Sequence, residues 1–336
     1  MKYPHFLKRG NTIGVCAPSF GVSENPYRIR YDRSKEYLAR CGYKIKESKS
    51  VYLLNKDEST TAVNRSREFL DLYFNNSVDF IMSVAGGEMM CEILPYIDFD
   101  KIKNSQPKFF MGYSDNTILT FTLTTICDIA TIYGPCACDF GSSRLDKSFL
   151  NTLEIIKGNI IPQHSFRMYE VESKKYENYL APLNKTKKVK WYCKDNDIKI
   201  TGRLIGGCLD VLTMFLGTKY DKVKEFNQRY KEDGIIWYLE TCDLHSIATK
   251  RALFCLKEAG WFENVRGFIF GRPNNTNTPF DVSYKEAVYK HLESYGVPII
   301  FDVDIGHVHP SFTIINGCIA TIYYKDNKGI VEQYLK

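Results

Sequence analysis

The sequence predicts an α/β protein in two domains: a parallel sheet covered by helices, followed by a β-rich domain. Three observations carry this. Over the first 140 residues or so, short apolar runs alternate with helical periodicity, the βαβ pattern that calls for parallel strands. From about residue 200 strand signals dominate, and the chain closes on a hairpin pattern. Between them, residues 161–200 lose apolar periodicity and gather Lys, Glu, Asn and Tyr, as an interdomain connection does. The expected division is therefore 1–160, a linker region at 161–200, and 201–336, in a chain of 336 residues.

Each element follows from its residues. Residues 12–17 form a short buried strand ending at Pro18-Ser19, and 28–41 read as a helix stopped by Gly42. Residues 43–49 suit a half-buried strand. Residues 61–74 are helical, with Val63, Phe69, Leu70 and Tyr73 expected on the inner side. Residues 78–84 are a strand ending at Gly86-Gly87, and 129–133 another ending at Gly134-Pro135. In the second domain, 202–217 read as a strand, a Gly206-Gly207 turn and a short helix; the glycine pair equally suits packing against a neighbouring strand. Residues 234–240 are a strand closed by Glu240, 246–260 an amphipathic helix, 267–271 a strand, and 312–334 a hairpin around 325–329.

Composition excludes several function classes. Charged residues make up 25% and hydrophobic ones 44%, ordinary for a soluble globular chain. The net charge of +6 is modest, and the densest basic cluster, Lys185 to Lys190, reads as a solvated loop rather than a nucleic-acid contact. The 11 cysteines contain no Cys-x-x-Cys pair and mostly sit in apolar runs, which suits small core residues in a reducing compartment. No apolar run is long enough to span a bilayer, so a cytoplasmic protein without membrane or nucleic-acid partners is expected.

The chemistry concentrates in one segment. After the apolar run Lys108-Phe-Phe-Met-Gly112 comes Tyr113-Ser114-Asp115, and then helical spacing at Ile118, Leu119, Phe121 and Leu123. A strand, a sharp turn and a helix would lift the Ser114 hydroxyl to a helix N-terminus, where free N–H groups can hold developing negative charge. The pattern is not Gly-x-Ser-x-Gly. A serine needs a base and a group to orient that base. Of six histidines, His307 and His309 stand out, in a loop between a strand and the hairpin that Gly306 and Pro310 would shape. For this pair a base, a structural and a metal-ligand reading all stand, although no other cluster offers metal-ligand spacing. Glu240, closing an apolar strand, is the leading orienting carboxylate, with Asp243, Asp302 and Asp304 as competitors. Asp115 reads as a helix cap whose own N–H could reach an oxyanion, and the Gly86-Gly87 turn could supply a second N–H or serve conformation alone. Trp191 could stack on a ligand ring or pack in the core.

In chain order, Gly10–Ser19, 78–87, 93–100, 107–117, Tyr133-Gly-Pro135, Gly202–Gly207, Leu239-Glu240 and Gly306-His307-x-x-Pro310 resemble the LD-carboxypeptidase family of serine peptidases, which includes the microcin C immunity peptidases. The resemblance spans about residues 8–320. It implies a triad of Ser114, Glu240 and His307, with the Asp115 and Gly87 N–H groups at the oxyanion. It also implies a Rossmann-like first domain, a barrel-like second domain, a homodimer, and no metal or cofactor. Relatives often carry Tyr or Asn after the Gly-Gly turn and Asn after the second glycine pair; here Glu88 and Cys208 stand there, which puts substrate preference in question. Gly86, Glu88 and Trp191 are the expected substrate contacts. The substrate is expected to be a murein tetrapeptide losing its terminal D-alanine, with an aminoacyl-nucleotide amide as the alternative. A ligand-binding protein without catalysis is the third reading, and an intact Ser114, Glu240 and His307 argues against it.

Overall fold

A computed structural model describes residues 1–336, which fold as two compact units: 1–159 with 172–184, and 160–171 with 185–336. The region expected as a linker is thus divided between them.

The first unit is Rossmann-like. Strands β1 (Thr12–Cys16), β2 (Lys44–Glu47), β3 (Phe80–Ser83), β4 (Phe109–Gly112) and β5 (Thr131–Tyr133) lie in the order β5-β4-β3-β1-β2, every pair parallel. Helices α1 (Tyr27–Arg40), α2 (Ala62–Tyr73), α3 (Phe99–Lys103), α4 (Thr117–Thr125) and α5 (Lys147–Ile156) connect and follow them. β3, β4 and β5 are buried throughout, as strands covered on both faces must be. α2 buries Arg65, Ser66, Phe69, Leu72 and Tyr73, whereas Val63 lies on the exposed side. Apolar spacing misses this rotation because the buried place goes to Arg65. Its guanidinium is fully satisfied by the carbonyls of Pro18, Thr60 and Met89 and by Glu58 and Glu92. α4 is buried on all sides despite five threonines, because hydroxyls turn back onto the helix: Thr122 to Ile118 O (2.6 Å), Thr124 to Thr120 O and Thr125 to Phe121 O (both 2.9 Å).

The second unit is β-rich. It contains β6 (Gln163–His164), β7 (Met168–Glu170), β8 (Lys185–Lys188), β9 (Ile198–Cys208), β10 (Ile235–Glu240), β11 (Val265–Gly271), β12 (Ile299–Val303), β13 (Ile314–Asn316), β14 (Ile319–Lys325) and β15 (Lys328–Tyr334). Its main sheet runs β12-β11-β10-β9-β14-β15-β6. The first four strands are parallel, joined through α6 (Leu209–Leu212), α7 (Val223–Arg229), α8 (Ser246–Glu258) and α9 (Tyr284–Leu292); the rest are antiparallel. The hairpin β14–β15 turns at Asp326-Asn327, both with positive φ (49° and 63°), which suits the twist of a two-residue loop. Gly206 and Gly207 do not make a turn. They lie inside β9, and a Cβ on Gly206 would run into the Tyr238 carbonyl of β10. The parallel half matters for function, because Cys208 and Glu240 are register partners at the carboxyl ends of β9 and β10. No helix is long and apolar enough to cross a membrane.

Candidate active site

Ser114 follows β4 with φ of 64°, a left-handed conformation that a non-glycine residue adopts only when its surroundings impose it. The surroundings do. The Ser114 N–H donates to the Tyr133 hydroxyl (3.1 Å), and α4 starts three residues on. The Asn116 amide donates to the carbonyls of Tyr113 (2.9 Å) and Ala85 (3.1 Å), tying the serine turn to the Gly86-Gly87 turn. Gly86 lies against the serine: a Cβ there would sit 3.3 Å from Ser114 Cβ.

Asp115 is buried and does not cap the helix, contrary to the sequence expectation. Its carboxylate instead accepts from the Ser19 hydroxyl and from the Met90 N–H (2.9 Å), joining the loop after β1 to the end of the loop that carries Gly86, Gly87 and Glu88. Burial raises its pKa, and the Ser19 and Met90 hydrogen bonds pull the other way. Gly87 has no room for a Cβ against Ser19 Oγ and Phe20, whereas Glu88 is exposed.

In the second unit, Glu240 is fully buried and its Oε2 lies 2.8 Å from His307 Nδ1. His307, not His309, holds this pairing; the His309 carbonyl receives the Glu170 N–H. The competing carboxylates are engaged elsewhere. Asp304 pairs with Arg272 (2.8 Å) and Asp302 with Lys285 (3.0 Å), while Asp243 is exposed. Two glycines make the space for Glu240. A Cβ on Gly271 would come within 2.8 Å of the Glu240 Cβ, and one on Gly306 (φ 91°) would collide with Oε2. Burial alone would lower the His307 pKa; the Glu240 carboxylate outweighs it, helped by the neighbouring Cys242 thiol, and holds His307 well above the ordinary histidine range.

Several supports escape sequence reasoning. Arg272 donates to Asp304 and to the carbonyls of Asp302, Val308 and Pro310, so one guanidinium fixes the whole His307 loop. It carries the same signal as Glu240, a charge closing an apolar strand. The Asp210 carboxylate accepts from the N–H groups of Cys242, Asp243 and Leu244 (2.8–3.1 Å), shaping the segment after Glu240. No sequence signal singles it out. Trp191, expected as a ligand contact, is fully buried. Its indole donates to Asp304 (2.9 Å) and its ring packs on Phe312, so the packing alternative describes its surroundings.

Residues 13–134 match the LD-carboxypeptidase N-terminal domain and 201–322 its C-terminal domain. The chain belongs to the LD-carboxypeptidase family of serine peptidases, family S66. Among family members, the microcin C7 self-immunity protein MccF of Escherichia coli is 29% identical, over 98% of this chain and 95% of that protein. A probable murein peptide carboxypeptidase of Bacillus subtilis is 25% identical, over 98% and 94%. The structure of MccF in complex with glutamyl sulfamoyl guanosine superposes with a TM-score of 0.84 at 25% identity, covering 99% of both chains. S66 membership accords with the two-unit architecture.

Proposed function

We propose that this S66 chain is a serine hydrolase that cleaves the amide joining an aminoacyl or peptidyl group to a nucleotide. The observation that carries the catalytic part is the buried Glu240 carboxylate held 2.8 Å from His307 Nδ1, the arrangement an orienting acid and a general base require. Ser114 is the nucleophile. His307 takes the Ser114 proton as Oγ adds to the substrate carbonyl carbon. The N–H groups of Asp115 and of the Gly86-Gly87 turn receive the resulting oxyanion. His307 then gives its proton to the departing nitrogen as the C–N bond breaks, leaving an acyl-serine. Water, deprotonated by His307, repeats the addition and releases the carboxylic acid and Ser114. Glu240 fixes the imidazole tautomer and balances its charge throughout.

The substrate part draws on the MccF likeness, in sequence and in a complex with an aminoacyl sulfamoyl nucleoside. A second reading, removal of D-alanine from a murein tetrapeptide, draws on the murein carboxypeptidase relative and on the family's general activity. The two are separated by incubating the protein with equal amounts of a murein tetrapeptide and an aminoacyl-sulfamoyl adenosine, with Ser114→Ala alongside, and reading products by mass spectrometry. Release of the amino acid from the nucleoside by the wild type alone is expected. Loss of D-alanine instead selects the second reading. Turnover retained in Ser114→Ala sinks the mechanism, and turnover of neither substrate returns the chain to a binding role.

A further inference from the structure

One ligand atom each from Cys208, Glu240 and His307 lie within 4.8 Å of one another. This grouping is a product of the fold rather than of chain proximity. Cys208 and Glu240 are register partners on adjacent parallel strands, and His307 reaches them from the loop after β12. Tetrahedral zinc, with bonds of about 2.0–2.3 Å, places its ligand atoms roughly 3.5 Å apart, so a small adjustment, which parts Glu240 Oε2 from His307 Nδ1 (2.8 Å) if that nitrogen is used, would complete a three-ligand set. The donors are one thiol, one imidazole and one carboxylate. This mixture favours zinc and its neighbours in the transition series over magnesium or calcium, which prefer all-oxygen sites. A thiolate and a carboxylate together also neutralise a doubly charged ion in a place where an unbalanced charge is costly. Family resemblance implies no metal; the departure at position 208 is what supplies the sulfur.

We propose that Cys208, Glu240 and His307 form a binding site for a zinc-like divalent cation, and that occupancy turns the hydrolase off. Binding forms bonds from the metal to the Cys208 sulfur, a His307 ring nitrogen and a Glu240 oxygen. The Cys208 proton, and any proton on the ligating nitrogen, leave to solvent. Inhibition follows whichever ring nitrogen is used. A metal on Nε2 removes the base, and one on Nδ1 displaces the Glu240 hydrogen bond that orients it. The inhibition arm rests on the catalytic roles proposed above; the binding arm does not.

The test uses full-length protein stripped with EDTA and titrated with cobalt(II) chloride, read by absorption. Wild type should take up one equivalent, with the d–d bands of four-coordinate cobalt and a thiolate-to-cobalt charge-transfer band. Cys208→Ala and Cys208→Ser should both lose the charge-transfer band and bind at least about 10-fold more weakly, while near-UV circular dichroism stays native. His307→Ala should weaken binding similarly, and Cys242→Ala should keep the charge-transfer band. Wild-type and Cys208→Ala spectra that coincide, a band lost in Cys242→Ala but kept in Cys208→Ala, or no binding by wild type would each overturn the proposal. In the hydrolysis assay zinc chloride should inhibit wild type reversibly, with EDTA restoring turnover, and should inhibit Cys208→Ala at least 10-fold less effectively. Zinc inhibition equal in both proteins also overturns it. A protein that shows the cobalt spectrum but hydrolyses neither candidate substrate leaves the metal site standing and sinks only the activity reading.

Discussion

Ser114 in the first unit is held through its backbone, whereas His307 in the second is held through a buried charge. At Ser114 a positive φ is imposed by short, uncharged contacts from Tyr133 and Asn116. At His307 the orienting group is a carboxylate with no solvent exposure, enclosed by Gly271 and Gly306, with Arg272 fixing the loop from behind. The difference suits the roles proposed for the two residues. A nucleophile must be aimed, and a strained turn would aim it. A base must change charge during the reaction, and a fixed carboxylate stabilises the charged form as it appears.

The comparison breaks most sharply at Glu240. Glu240→Gln keeps the shape and removes the charge, so turnover should fall about 10²–10⁴-fold with folding retained. The pH dependence should change with it. Because His307 is held above its ordinary value, kcat/KM for wild type should rise with an acid limb above about 6.5, and that limb should move down in Glu240→Gln. Stability has the matching sign. A raised folded-state value means the ion pair contributes fully below the unfolded value of about 6.5 and loses its contribution as pH rises through the raised value. The melting temperature of wild type relative to Glu240→Gln should therefore decline from acid towards alkaline pH. A difference that grows with pH would contradict the pairing.

Gly306→Ala tests the enclosure. The added methyl meets a positive φ and the Glu240 Oε2 together, so a loss of about 1–3 kcal/mol is expected. Turnover should drop at least about 10-fold, because displacement of the carboxylate disturbs the His307 orientation. Denaturant unfolding with a parallel kinetic assay checks both. A stability loss with unchanged kcat would separate the glycine from the catalytic pair.

Ser19→Ala tests the first unit in the same way. It leaves the buried Asp115 carboxylate with one donor fewer, at a cost of about 1–3 kcal/mol. The Gly86–Met90 loop should loosen, and kcat should fall about 10-fold, a fraction of what losing an oxyanion donor outright costs. KM should change little. A larger effect here than at Gly306 would reverse the view that the charged half is the more demanding one.

These supports also mark where sequence reading stops. The parallel strands of the first unit were legible because burial on both faces leaves continuous apolar runs, as at Phe109–Gly112. The strand-end positions of Ser114 and Glu240 were legible because each interrupts such a run with a polar group. Arg65 and Asp115 were not, since nothing in their neighbours says that a charge will be buried and satisfied by distant carbonyls and N–H groups. The Gly206-Gly207 pair was ambiguous for a related reason. A glycine required by a close approach across a sheet has the same local sequence as one required by a turn, and only the position of the Tyr238 carbonyl decides.

Trp191 offers the smallest expected effect on catalysis and the clearest distinction between core and site. Its ring is fully enclosed, Gly329 has no room for a Cβ beside it, and its indole N–H satisfies the same Asp304 that Arg272 engages. Trp191→Phe keeps an aromatic ring but removes that donor and leaves a void, so it should destabilise by about 1–3 kcal/mol. If packing is its whole role, kcat/KM for an aminoacyl nucleotide should stay within about twofold, because the His307 loop keeps its Arg272 clamp. If the ring instead meets a nucleobase, KM should rise for nucleotide substrates and not for a murein peptide. Thermal melts and kinetics on both substrates distinguish the two, and a substrate-selective rise in KM would return Trp191 to the binding site.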